Sequence, residues 1–238
     1  MFIHITTTNL MEQFMGEYAM ILAHKLVEPK YFEIAKKVGK KFKILDNSFY
    51  ELGYALPTDE LVRWADKIDA THIVAPDGSL INCAEISASG YKTIFVPTNV
   101  TQFIQALNDP SVDMIGLSEE HFTRRYDPFI RYDVLNIVSS QTVINKPIHI
   151  LGVTDTIMEI ALLSKFAKHI HSMDSSYPFW AGKYDVNINE VVSRSKLNLP
   201  LIDWDESVIL NDTSYMNICY TDQLWDEFIT RRKDVKSC

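Results

Sequence analysis

Short apolar runs alternate with amphipathic stretches over most of the chain. Residues 20–23 read as a strand, and 29–41 as a helix with Pro29 at its start and Phe32, Ile34, Ala35 and Val38 as apolar positions. Residues 42–45 form a second strand ending at Asp46. Thr58 caps a helix whose Leu61, Val62, Ala65 and Ile68 share one face. Residues 72–75 are a third strand, running on to Asp77. A fourth spans 93–96 and is followed by a helix over 99–107. Then come a strand at 114–117, an Arg-rich connection and a helix over 128–139. A strand at 148–151 precedes a helix over 155–168 bearing Ile157, Ile160, Ala161 and Phe166, and a last strand at 170–173 runs into Asp174.

Strands alternating with helical patterns of about ten to fifteen residues build a parallel sheet. Seven in a row, without a glycine-rich dinucleotide loop, favour an α/β barrel of the (β/α)8 TIM type over a doubly wound sheet. Functional groups of such barrels sit at the C-terminal ends of the strands. Asp46, Asp77, Gly116, Gly152 and Asp174 occupy those positions. Residues 185–210 carry no clear period, and 221–233 read as a closing helix with Leu224, Trp225 and Phe228 inward. The expectation is one domain over residues 1–238: a trimmed barrel, irregular at its C-terminal end.

Composition narrows the setting. The chain has 238 residues, 47% hydrophobic and 23% charged, as in ordinary globular proteins. No apolar stretch of about eighteen residues predicts a membrane span, and the start, MFIHITTTNLMEQF, lacks the pattern of a signal peptide. A cytoplasmic location follows, that of the host if the chain is viral. Cys83, Cys219 and Cys238 are scattered, which predicts neither a disulfide framework nor a zinc site. A net charge of −8 excludes a wholly basic nucleic-acid coat. Local basic clusters remain: Lys36, Lys37, Lys40, Lys41 and Lys43; Arg124, Arg125 and Arg131; and Arg231, Arg232 and Lys233. Each reads either as a solvated face or as a set of phosphate contacts.

Three carboxylates at three strand ends converge on one mouth if the barrel forms. Singly, each has a plainer reading. Asp46 in LDNSFYELG can cap a turn, Asp77 before Gly78 suits a turn, and Asp174 in HSMDSSYPF can cap a following helix. The order of motifs resembles the tRNA-guanine transglycosylase superfamily, and is more similar to its short phage relatives that place 7-deazaguanine bases in DNA. The resemblance covers roughly residues 18–183. It implies that Asp46 and Tyr50 in DNSFY open the base pocket, and that Asp77 in VAPDG reads the guanine edge. Gly116-Leu117 in MIGLSEE would contact the base through their backbone, while Leu151, just before Gly152 in HILGV, would face Tyr50 across the ring. Asp174, 22 residues beyond Gly152, would be the nucleophile.

Three features depart from the family pattern. FVPTN, with Pro97, stands where many relatives carry a glutamine, and no Cys/His zinc site follows Asp174. Ser48 and Phe49 replace the two glycines many relatives have after the first aspartate.

These residue types suit the implied chemistry. A carboxylate can hold a sugar covalently while bases are exchanged, because the anomeric centre develops oxocarbenium character. Asp46 would move the proton that the departing and incoming bases require. Lys36, Lys37, Lys40, Lys41, Arg124 and Arg125 are candidate phosphate contacts. The histidines His24, His121, His149 and His171 read as packing or surface residues, so neither metal nor cofactor is expected. The implied partners are DNA and a free base such as preQ0 or preQ1. The same exchange on tRNA, a catalytically inert nucleic-acid-binding barrel and an unrelated barrel hydrolase are the alternatives. Oligomeric state is not readable.

Overall fold

A computed structural model describes residues 1–118, 120–122, 129–153, 156–188, 204 and 208–234. The apolar runs become strands: β1 (Phe2–His4), β2 (Tyr18–Leu22), β3 (Phe42–Asp46), β4 (His72–Val74), β5 (Lys92–Phe95), β6 (Met114–Leu117), β7 (Ile148–Ile150) and β8 (Ile170–Ser175). All pair in parallel, in the order β1-β8-β7-β6-β5-β4-β3-β2. β1 and β2 also lie side by side, without a hydrogen-bonded ladder, so the sheet curls into a nearly closed (β/α)8 barrel.

Helices fill the connections: α1 (Met11–Phe14), α2 (Pro29–Lys37), α3 (Phe49–Leu52), α4 (Thr58–Ile68), α5 (Leu80–Ala88), α6 (Val100–Asn108), α7 (Ile130–Gln141), α8 (Thr156–Leu163), α9 (Tyr177–Lys183) and α10 (Asp212–Asp234). Their caps follow local chemistry. Ser79 and Asn99 accept from the backbone N–H groups of Asn82 and Gln102, opening α5 and α6. The helix expected after Thr58 forms as α4, but Thr58 is its first residue and not its cap: Pro57 holds the cap position and no side-chain cap bond is made. α2 stops at Lys37, short of the expected 41, because Gly39 turns the chain with a φ of +66°.

β1 and α5 go beyond the elements read from periodicity. β1 is three residues long and owes its place to tertiary contacts. Phe2 packs 6.4 Å from Trp225, and His4 Nε2 lies 2.9 Å from Asp222 Oδ1, both on α10. α10 is longer than the expected closing helix, and its Trp225 and Phe228 are buried as expected.

Alternation along the strands separates an outer from an inner face. Phe2 and His4 meet α10 outside, so Ile3, in register with Asp174, points inward. Lys43 points outward between helices. Its buried ammonium donates to the carbonyls of Ala35 and Lys36 in α2 and of Ile68 in α4, at 2.8, 3.4 and 2.5 Å. It therefore caps two helix C-termini, where a cation is favoured, instead of contributing to a basic patch.

His72 is buried near the N-terminal end of the barrel, its ring 4.5 Å from Phe42. Burial, and after it Lys92, push its pKa down to about 4. An unfolded histidine titrates near 6.5. As pH falls from about 6.5 to 4, the unfolded chain takes up a proton that the folded one refuses, so stability is lost through that window. The full loss is on the order of 3 kcal/mol. Urea unfolding at pH 7 and 4.5 should show this loss in the wild type and a clearly smaller one in His72→Leu.

Candidate active site

The carboxyl groups read from the sequence do meet at the C-terminal mouth of the barrel. Asp46 ends β3 and Asp174 is the second-last residue of β8. The half-buried Asp46 accepts from the Ser48 N–H at 2.7 Å through Oδ2, so its turn-capping reading is also realised. Among the described residues nothing bonds its Oδ1. Burial holds its carboxyl well above the usual range, and the nearby Glu51, Asp77 and Asp174 push the same way. Asp46 is a half-buried acid kept toward its neutral form.

Asp174 has a different environment. It is 1% exposed, and both oxygens face N–H donors. Oδ1 accepts from the Gly152 N–H at 2.9 Å, and Oδ2 lies 2.8 Å from His149 Nε2. His149 Nδ1 lies 2.7 Å from Ser172 Oγ. Ser172 and Asp174 project from the same face of β8, and His149 is in register with Ser172, so the three form one chain inside the barrel. Asp174 itself caps no helix, since its oxygens go to Gly152 and His149; the neighbouring Ser175 instead accepts from the Tyr177 N–H at 3.0 Å, where α9 begins.

Gly152 can present its N–H to Asp174 because it adopts a φ of +63°, a conformation strained for any other residue. Arg131 braces that turn. Its Nη2 donates to the carbonyls of Leu151 at 2.7 Å and Gly152 at 3.0 Å, and its Nη1 pairs with Glu159. At 1% exposure Arg131 is no phosphate contact, against the basic-cluster reading. Gly116 lies beneath the mouth. A Cβ there would stand 2.9 Å from Leu151 Cδ1 and 3.0 Å from Ile94 Cγ2, so this glycine is where Leu151 descends into the barrel. Leu117 points away from the interior and is buried; its carbonyl accepts from the Leu151 N–H at 3.2 Å.

Asp77 is not a free acceptor. Oδ1 accepts from Asn47 Nδ2 at 2.7 Å, and Oδ2 pairs with His121 Nε2. The hydrogen bond to Asp77 raises the pKa of His121. A purine edge read by Asp77 must therefore displace or share this imidazole. Tyr50 stands on α3 at 67% exposure, and Leu151 is half-buried. Beyond Pro97, the Gln102 side chain returns from the first turn of α6. Its Oε1 accepts from the Thr98 N–H at 2.9 Å, and its Nε2 reaches the Gly78 carbonyl at 3.4 Å.

The basic clusters fare differently. Lys36 and Lys37 end α2 and Lys40 and Lys41 precede β3, at the N-terminal end of the barrel, away from the carboxyl groups. Lys36 pairs with Glu33 at 2.7 Å, Lys37 with Glu12 at 3.4 Å and Lys41 with Glu17 at 2.8 Å. The structure does not bring these lysines to the mouth. Arg124 and Arg125 lie outside the described residues, as do the side chains of the 231–233 cluster.

Periodicity missed four contributors: His149, His121, Glu51 and Arg131. Glu51, on α3, has a carboxyl raised chiefly by burial, with Asp174 and Glu120 adding to the shift. One signal was present for His149. A polar residue between Ile148 and Ile150 in a buried strand needs a buried partner. Among the described residues no group of three or more His, Cys, Asp or Glu side chains is disposed to hold a metal, and no helix is long and apolar enough to cross a membrane. No family model and no curated protein matches the chain.

Proposed function

We propose that this barrel exchanges a purine base of a nucleic acid through a covalent sugar ester on Asp174. The observation that carries the reading is the contrast between two carboxyls at one mouth: Asp46 is pushed toward its neutral form, and Asp174 is presented to two N–H donors that an acceptor-only carboxylate satisfies. Glycosyl transfer with retention uses such a pair, one group attacking the anomeric carbon and the other protonating the leaving group. Asp46 gives its proton to the departing guanine and takes one from the incoming 7-deazaguanine base. The order of DNSFY, VAPDG, MIGL, HILGV and SMDSSYP supports guanine as the base and DNA as the carrier, with tRNA as the other carrier. The target nucleotide must leave its stack to reach Asp174, at a cost of a few kcal/mol in a duplex.

The decisive experiment incubates the protein with guanine-labelled DNA, and separately with labelled tRNA, with and without preQ0 or preQ1. Label release that requires the free base, together with a denaturation-resistant protein–nucleic-acid adduct, is the expected result. Release without incorporation marks a hydrolase, and binding without release an inert barrel. Single-turnover release should slow as pH rises through the raised pKa of Asp46, because the proton donor is then lost. Asp46→Asn should remove that limb along with at least about a hundredfold of the rate. The same substitution removes an acid whose charged form its surroundings disfavour, so it should leave stability unchanged or higher.

A further inference from the structure

We infer that His149 is the positioning residue of Asp174, held by Ser172 in the Nε2–H tautomer, and that it leaves Oδ1 as the attacking oxygen. The inference rests on the exchange reading above. A carboxylate only accepts, so the 2.8 Å contact requires the proton on His149 Nε2. Nδ1 of the neutral ring then accepts from the Ser172 hydroxyl, 2.7 Å away. His149 and Ser172 are both fully buried, so Oδ2 is turned into the barrel. Oδ1 is turned instead toward Gly152, which is exposed at the mouth.

The step balances on these atoms. Oδ1 bonds to the sugar C1′ as the glycosidic C1′–N9 bond breaks. That bond's electron pair leaves with the guanine ring, which takes the Asp46 proton. Asp174 loses its charge in the ester, and Oδ2 becomes the ester carbonyl oxygen, still facing the His149 N–H. In the second half the incoming base gives its N9 proton to Asp46, N9 attacks C1′, and the C1′–Oδ1 pair returns to Asp174. Hydrogen bonds to a charged acceptor are about twice as strong as neutral ones. His149 therefore stabilises the free carboxylate more than the ester, and without it Asp174 becomes a poorer leaving group.

Two measurements test this. Imidazole 15N NMR of the free protein should show a protonated Nε2 and an unprotonated Nδ1 on His149. An Nδ1–H or doubly protonated ring overturns the anchor whatever the substrate. In the exchange assay, His149→Phe should lower turnover at least about tenfold, lower the KM for DNA in parallel so that kcat/KM for DNA stays within about twofold, and lengthen the lifetime of the covalent adduct. His149→Gln restores a donor near the Nε2 position and should shorten that lifetime again. Ser172→Ala frees the tautomer and should shift the adduct the same way as His149→Phe by a smaller factor, which keeps the test open if the phenylalanine variant does not fold. A lost structural support would lower adduct and turnover together. That outcome, or an unchanged adduct lifetime, overturns the proposal. A wild-type protein with the expected tautomer but no adduct on DNA or tRNA instead overturns the exchange reading, and the attacking-oxygen assignment falls with it.

Discussion

Asp174→Asn is expected to abolish base exchange and adduct formation, by at least about a thousandfold, while nucleic-acid affinity stays within a few-fold of wild type. The amide keeps the side-chain shape but carries one acceptor where the carboxylate carries two. One of the donors, the Gly152 N–H or His149 Nε2–H, must then face an NH2 group. Leaving a buried donor unsatisfied costs about 1–3 kcal/mol, so a parallel loss of stability should appear in urea unfolding. Asparagine also lacks the charged oxygen needed to attack C1′ and form the ester. Turnover above a few per cent of wild type would remove Asp174 from the nucleophile's role.

Arg131→Ala is expected to be the most destabilising single substitution proposed for this molecule. It takes the Arg131 guanidinium away from the buried Glu159 carboxylate, and breaking a buried ion pair by removing one partner costs about 3–5 kcal/mol. It also removes the donor from the Leu151 and Gly152 carbonyls, freeing the turn that aims the Gly152 N–H. The two effects can be separated. Replacing the pair together, Arg131→Met with Glu159→Leu, should recover most of the stability because no charge is left buried. Exchange activity should stay low, since neither residue can then hold the two carbonyls. If the double variant recovers activity as fully as stability, the arginine acts on packing alone.

How much of this was legible in the sequence depends on the range of the interaction concerned. Seven strands, and the helices that Pro29, Asn99 and the apolar faces announce, are set by neighbours a few residues apart, and periodicity finds those. β1 escaped because its evidence is distant: Phe2 and His4 make sense only against Trp225 and Asp222. α5 escaped because Ile81 is exposed while Cys83 and Ile86 are buried, which blurs its apolar face. The strand-end carboxylates were visible because fold class alone predicts which end of a strand matters. Their supports were not. His149, 25 residues from Asp174, and Arg131, 28 from Glu159, pair only through the register of neighbouring elements. The lysines misled for the opposite reason: closeness in sequence placed Lys43 with Lys36 and Lys37, but strand alternation turned it to the outer face of the barrel, where it is buried under two helix ends.

The seam between β1 and β2 bears on the order in which this chain can fold as it leaves the ribosome. Among the described residues β1 has a single hydrogen-bonded neighbour, β8, and the Met1 amine meets the His171 carbonyl across 170 positions of sequence. Synthesis runs from the N-terminus, so β1 emerges before β2 to β7 and waits for β8, which follows all of them. The ladder from β2 to β7 can zip step by step, each strand docking on the one before it. The strand bearing Asp174 is then the piece that captures β1 and shuts the ring. Nascent chains should thus pass through an open, curved sheet with Asp174 not yet in place and with Phe2 and Ile3 exposed until β1 is captured.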